Sequence, residues 1–251
     1  TTSYSVTVTD SKGCTASASA TVTVNPNPTA AITGVDATCG DDNGSATASA
    51  TGGMAPYSYE WNTGATTAMI SGLTPGIYEV TVTDAKGCID TDEVTIENIG
   101  GPTVDAGDDD EICAGESTSL TATTTDGTAP ISITWMPGNL SGATITVSPN
   151  TTTTYTVTAT DANGCVATDE VVVTVNPNPT VSVEDIAICA GDNGTLTAVA
   201  GAGTPGYTYE WSTGATSASI TVSPGATTSY SVTVTDSKGC TASASATVTV
   251  N

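Results

Sequence analysis

The sequence predicts an all-β chain of tandem small antiparallel β-sandwiches, and three observations carry that prediction. β-branched residues alternate with polar ones in short runs broken by Gly, Pro, Asn and Asp, with no helical periodicity. Residues 1–25 return unchanged as residues 227–251, an offset of 226 residues, and a fixed period marks a repeat architecture. Within that period one set of Pro, Cys, Trp and Tyr landmarks occurs three times.

The proline breaks Pro28-Thr29, Pro102-Thr103 and Pro179-Thr180 set the frame. They divide the chain into residues 26–101, 102–176 and 177–251. Residues 1–25 are then the closing hairpin of a preceding, truncated repeat. Two breaks share the pentapeptide Asn-Pro-Asn-Pro-Thr, ending at Thr29 and Thr180, and proline favours short, stiff, extended linkers. The middle linker, Gly100-Gly101-Pro102, is expected to bend more easily.

Each repeat follows one script. A front cysteine (Cys39, Cys113, Cys189) precedes a tryptophan (Trp61, Trp135, Trp211) by 22 residues. A tyrosine (Tyr78, Tyr155, Tyr230) opens an alternating strand, and a second cysteine (Cys88, Cys165, Cys240) follows it by ten residues. Tyr4 and Cys14 repeat this last spacing.

The tyrosine strand carries Tyr78, Val80 and Val82 on one face and Glu79, Thr81 and Thr83 on the other, the period-two pattern of a half-buried strand. It ends in Asp84-Ala85-Lys86-Gly87, matched by Asp161–Gly164 and Asp236–Gly239. That pattern predicts a type I turn closed by a left-handed glycine, with the Asp side chain bonding the turn backbone. Each repeat therefore closes with a hairpin. Tyr57, Tyr59 and Trp61 share a face, as do Tyr207, Tyr209 and Trp211, and Ile131, Ile133 and Trp135. Ile in place of both tyrosines favours a core over a sugar-stacking platform, because a core needs only volume. The core is expected to hold Trp61, Trp135, Trp211, Tyr78, Tyr155 and Tyr230. Short strands at this spacing fit immunoglobulin-like sandwiches arranged head to tail.

Seven cysteines suit one disulfide per repeat: Cys39–Cys88, Cys113–Cys165 and Cys189–Cys240, with Cys14 left over. A metal site or a reactive thiol is the alternative, weakened by the absence of His and of any CxxC pair. Repeats of this size without Phe have small cores and gain from a staple. Persistent disulfides imply an oxidising, extracellular compartment.

Three Lys stand against 26 acids, for a net charge of −23. Charge-driven binding to nucleic acid or an anionic membrane is thereby excluded. Without His, no serine or cysteine protease triad can be assembled, and no phosphate loop with its Lys occurs. The chain is read as non-catalytic. Acidic clusters are the candidate ligand sites, above all Asp105, Asp108, Asp109 and Asp110, which could hold calcium through oxygen ligands. The other reading is a solvated acidic loop, and no other cofactor is expected.

Pro56-Tyr-Ser-Tyr-Glu-Trp-Asn-Thr-Gly and Gly76-Ile-Tyr-Glu-Val-Thr-Val-Thr-Asp-Ala-Lys-Gly-Cys88 resemble the SprB repeat of bacterial gliding-motility adhesins. The third repeat resembles it too. The middle repeat, with Asp105-Ala-Gly and Ile112-Cys-Ala-Gly-Glu-Ser, is similar to PKD-type modules. The resemblance implies a large secreted or surface protein. The expected role is a structural repeat region of an extracellular bacterial filament or adhesin stalk. Its partners would be neighbouring repeats, through self-association, with surface glycans as possible ligands. A glycan- or calcium-binding adhesive module and a non-catalytic appendage of a secreted enzyme are the alternatives.

Overall fold

The computed structural model describes residues 1–251, and all regular structure in it is β. The first repeat shows the plan. Pro28–Val35, Gly44–Gly52 and Met69–Leu73 form one antiparallel sheet. Ser58–Trp61, Gly76–Thr83 and Ile89–Ile96 form the other. A short parallel pair, Ala37–Thr38 with Asn98–Ile99, leads back to the linker. Alternation along Gly76–Thr83 points Tyr78, Val80 and Val82 inward, as the period-two pattern requires.

The other repeats reuse this plan. In the second, Asp110–Cys113 runs parallel to Val166–Asn176, which continues through Thr153–Thr160 and Ser132–Met136 to Leu140–Ser141. The facing layer holds Thr118–Thr121 paired with Thr144–Val147, and Pro102–Asp105 beside Thr123–Asp126. In the third, Ile186–Ile188, Thr241–Val250, Thr228–Thr235 and Thr208–Trp211 face the pairs Pro179–Ser182 with Val199–Ala202 and Gly194–Thr197 with Ser219–Val222. Two layers with Greek-key crossovers and a short second strand running parallel to the last make each an immunoglobulin-like sandwich.

Three hydrophobic clusters fill these sandwiches, each centred on its tryptophan. Trp61, Trp135 and Trp211 are fully buried. Each indole N–H donates to a loop carbonyl: Thr67 at 2.8 Å, Gly142 at 3.0 Å and Ser217 at 2.9 Å. A buried indole needs such a partner, because an unmade bond would cost its desolvation. Tyr78 and Tyr155 are buried, and Tyr230 is half-buried against the third cluster. Tyr78 donates its hydroxyl to the Thr74 carbonyl at 2.9 Å. Burial pushes the Tyr155 phenol above its ordinary value.

Acidic side chains also close the sandwiches. Asp90 and Asp92 accept the backbone amides of Ala30 and Ile32, both at 2.9 Å, and Asp169 accepts that of Ala106 at 2.8 Å. These carboxylates reach from the last strand of a repeat to its first, satisfying amides that no neighbouring strand pairs. Amide donors from Ala106 and Glu170 hold the Asp169 carboxyl below its usual range.

The residues group into two compact units. One holds Thr1–Gly101 with Asp126–Ala129 and Asp161–Cys165. The other holds Pro102–Thr125, Pro130–Thr160 and Val166–Asn251. Within the first unit, Thr2–Thr9 and Thr15–Val22 form a hairpin whose residues are all exposed.

Trp211→Ala is expected to lower stability by about 3–5 kcal/mol, the usual cost of emptying a large buried site. Glu210→Ala, on the exposed face of the same strand, should stay within about 0.5 kcal/mol. Denaturant midpoints of the two variants check this, and equal losses would remove the tryptophan from the core.

Candidate functional site

The disulfides do not close individual repeats. Cys39 bonds Cys165 and Cys113 bonds Cys240, with Cα–Cα distances of 5.2 and 5.5 Å. The expected pairs Cys39–Cys88, Cys113–Cys165 and Cys189–Cys240 are all overturned. Cys88 and Cys189 are free thiols, as is Cys14. The front cysteine of one repeat instead bonds the turn cysteine of the next.

Geometry forbids the expected pairing. Cys39 sits in the loop leading into Gly44, where the nine-residue strand Gly44–Gly52 begins. Cys88 sits in the turn beside the other end of that strand, where the Met54 amide donates to Asp84 at 2.9 Å. Eight steps of roughly 3.3 Å separate those ends by ~26 Å. A disulfide needs Cα atoms within about 7 Å. The two cysteines of one repeat therefore occupy opposite ends of its sandwich.

The front cysteine lies at the trailing end, beside the outgoing linker. Cys39 N–H donates to the Ile99 carbonyl at 3.0 Å, and Gly40 N–H to Asn98 Oδ1 at 3.1 Å. Gly101 follows directly. A Cβ there would fall 2.9 Å from Cys165 Cβ, inside any real contact distance. The glycine expected to loosen this linker is thus required by the close approach of the disulfide.

The turn cysteine is held by its Asp. In each turn the glycine has a positive φ, between 80° and 84°, and the Asp Oδ1 accepts two backbone amides. One of those amides belongs to the cysteine itself. The Asp Oδ2 accepts a third amide from the loop preceding the tryptophan strand: Met54 at 2.9 Å, Thr128 at 2.9 Å and Thr204 at 2.8 Å. Asp84, Asp161 and Asp236 are the buried charged side chains of the chain. For Asp161 and Asp236 the amides of Thr128 and Thr204 are the largest influence, and they lower the carboxyl against the opposing effect of burial. For Asp84 burial is the largest single effect and acts upward, but the combined amides of Met54, Cys88, Lys86 and Gly87 leave it lowered.

In the second unit a charge pair joins the staple. Lys238, in the turn before Cys240, contacts Glu111 Oε2 at 2.7 Å. Asn176 also donates to Glu111, and Asn178 Nδ2 donates to the Ala114 carbonyl at 2.9 Å. The hydrogen bond from Lys238, then that from Asn176, holds the Glu111 carboxyl below its usual range. Both side chains are substantially exposed, so the pair orients the turn and adds little stability. Asn163 occupies the Lys238 position in the Cys39–Cys165 staple, where Ala37 replaces Glu111, so no charge pair forms there.

Three of the four expected ligands, Asp105, Asp109 and Asp110, use oxygens on the protein. Asp105 accepts the Gly107 amide and Asp109 the Val172 amide, both at 2.8 Å, while Asp110 accepts the Glu111 amide and the Thr118 hydroxyl. No group of three carboxylates converges there.

Residues 31–66 and 180–216 match the SprB repeat. Each matched stretch runs from the first sheet through the front cysteine to just past the tryptophan. The turn cysteines, Cys88 and Cys240, lie outside both stretches. No curated protein sequence matches the chain. Among solved structures, it is similar to the eight N-terminal Ig domains of Down syndrome cell adhesion molecule, at 15% identity and a TM-score of 0.46 over 99% of this chain. This chain spans 40% of that one. It is also similar to a 1.5-MDa bacterial ice-binding adhesin, at 14% identity and a TM-score of 0.43, over 91% of this chain and 100% of that one. The I9–I11 tandem of titin shares 12% identity at a TM-score of 0.40, over 88% and 99% of the two chains.

Two measurements follow from this site. Non-reducing digestion should yield Cys39–Cys165 and Cys113–Cys240 peptides, with Cys14, Cys88 and Cys189 open to alkylation. Each staple closes a loop of about 126 residues. Removing one by Cys113→Ser should therefore cost on the order of 4–5 kcal/mol in the chain-entropy picture. Recovery of a Cys39–Cys88 peptide would refute the register.

The Asp turns set a pH dependence. Their folded carboxyls titrate below the ordinary value of 3.8, so the unfolded chain takes up protons first. Their stabilisation is complete above that value and is lost as pH falls through the lowered, folded one. Asp236→Asn should be clearly less stable than the parent at pH 7, and the gap should narrow below about pH 4. A gap independent of pH would remove the carboxylate charge from the turn.

Proposed function

We propose that this chain is a structural repeat region of an extracellular bacterial surface filament or adhesin stalk, extending and presenting through successive immunoglobulin-like repeats. The observation that carries the reading is the staple register. Bonds that join neighbouring repeats contribute to continuity along a chain, which a bond inside each repeat would not. The two loops, 39–165 and 113–240, overlap within the second repeat, so residues 39–240 lie under covalent restraint.

Disulfides persist in oxidising compartments, which supports a surface or secreted location. The SprB-repeat matches and the adhesin likeness point the same way. The assignment of residues 26–101, 102–176 and 177–251 as successive modules belongs to this reading, as does association between repeats. Burial of all three tryptophans supports the scaffold reading over a glycan platform built on tryptophan.

Pulling the chain by its termini tests the mechanical role. With both staples intact, the shortest covalent route runs 1–39, 165 back to 113, then 240–251, about 100 residues. At ~3.5 Å per residue that spans ~36 nm when taut. The reduced chain of 251 residues spans ~88 nm. Reductant should thus lengthen the fully unfolded chain more than twofold. Equal lengths with and without reductant would defeat the stalk reading.

A further inference from the structure

The two staples are built differently at their front cysteines. In the first, Thr38-Cys39-Gly40-Asp41 forms a tight turn, closed by the Asp41 amide on the Thr38 carbonyl at 3.0 Å. Both central residues are left-handed, Cys39 at φ 61° and Gly40 at φ 78°, which is the type I′ arrangement. In the other repeats the turn begins one residue later. The Glu116 amide closes on the Cys113 carbonyl and the Asp192 amide on the Cys189 carbonyl, both at 3.0 Å. Of the central residues there, only Gly115 at φ 92° and Gly191 at φ 90° are left-handed, the type II arrangement.

Left-handed backbone suits glycine and disfavours a residue with a Cβ, by on the order of tenfold in an equilibrium constant. Thr38–Asp41 have an unstrained alternative in the same sequence. A type II turn keeps Gly40 left-handed and returns Cys39 to negative φ. In the bonded form Cys39 is held between the Ile99 carbonyl, which accepts its amide at 3.0 Å, and the Cys165 sulfur.

Access and the surrounding ties differ in the same direction. Cys39 is exposed and Cys113 half-buried, while their partners Cys165 and Cys240 are both buried. At the second staple, Lys238 contacts Glu111 at 2.7 Å and Asn178 donates to the Ala114 carbonyl at 2.9 Å, ties that hold the sulfurs close if the bond opens. At the first, Asn163 takes the place of the lysine and turns back to the Thr128 hydroxyl at 2.9 Å, within its own repeat. The linker there is Gly100-Gly101, where the second joint has Pro177-Asn178. The bonds span 126 and 127 residues, so loop closure does not separate them.

We propose that Cys39–Cys165 is a redox-labile joint, opened by a low-molecular-weight thiol under conditions that leave Cys113–Cys240 closed. The thiolate attacks the exposed Cys39 sulfur, forms a mixed disulfide there and expels Cys165 as a thiolate, which takes a proton from water. A second thiolate attacks the sulfur that the first one brought and expels Cys39, protonated in turn. Two small thiols thus give up two electrons and leave as their disulfide, and the protein gains two thiols. The turn then relaxes to type II, and Gly100-Gly101 becomes a hinge, while the proline linker and polar ties keep the second joint stiff. The chemistry is the same whether or not the array serves as a stalk.

The folded 251-residue chain tests this. Cys14, Cys88 and Cys189 are first blocked with N-ethylmaleimide, and the protein is equilibrated without denaturant in glutathione buffers of graded thiol-to-disulfide ratio. Acid quenching, a second, isotope-labelled maleimide and peptide mass spectrometry then report on each staple. Cys39–Cys165 should open at a ratio of squared thiol to disulfide at least ~tenfold below the one that opens Cys113–Cys240. Glutathione should be found on Cys39 rather than on Cys165. In the singly reduced protein, hydrogen exchange should quicken at residues 37–41 and 98–101 and stay slow at 111–116. The double variant Gly40→Ala, Asp41→Gly copies the Cys-Ala-Gly-Asp order of residues 189–192 and moves the turn past the cysteine. It should raise the Cys39–Cys165 midpoint about tenfold. Equal midpoints in the parent, earlier opening of Cys113–Cys240, unchanged exchange at residues 98–101, or an unmoved midpoint in the folded double variant would each overturn the proposal.

Discussion

The organising constraint is the length of a β-sandwich. Each repeat carries one cysteine at its trailing end and one at its leading end, and a strand of about 26 Å stands between them. Sulfurs so placed cannot meet within a repeat. They meet across repeats, where the loop after one sandwich lies against the closing turn of the next. Cys165 and Cys240 are buried by that contact, whereas Cys14 and Cys88 remain at least partly open. The glycine before Pro102, the Asp-capped turn and the Lys238–Glu111 pair all fit around the bonded turn.

The acidity of the chain divides into two roles. Most carboxylates are exposed and give the molecule its large negative charge. A smaller set serves as backbone acceptors. Asp84, Asp161 and Asp236 each gather three amides, and Asp90, Asp92 and Asp169 satisfy the first strand of a repeat from its last. For Asp84, Asp161, Asp169 and Asp236 the amide donors stabilise the anion. Asp105, Asp109 and Asp110 likewise bond the chain itself, accepting the amides of Gly107, Val172 and Glu111. An acidic run in sequence need not converge in space, and this one does not.

Much of the molecule was legible from local pattern. Alternation identified the tyrosine strands, the Asp-x-x-Gly-Cys signature identified the turns, and volume conservation between Tyr and Ile identified the aromatic face as core. These succeed because side-chain direction in a strand and backbone conformation in a tight turn are decided by neighbours in sequence. The register of the disulfides was not legible in the same way. One front and one turn cysteine in each full repeat permit pairing within a repeat or across repeats, and spacing along the chain favours the shorter loops. The sandwich topology held the missing signal: the loop entering the second long strand and the turn closing the last hairpin lie at opposite ends.

The sequence by itself therefore determined the all-β class, the three-fold script, the buried tryptophans and the turn chemistry, since each rests on residues close together along the chain. The tertiary structure alone decided which sulfurs bond, why Gly101 must be a glycine, and where the acidic side chains find their donors. Those outcomes depend on distances between segments tens of residues apart, which strand length and sheet order set and local pattern does not contain.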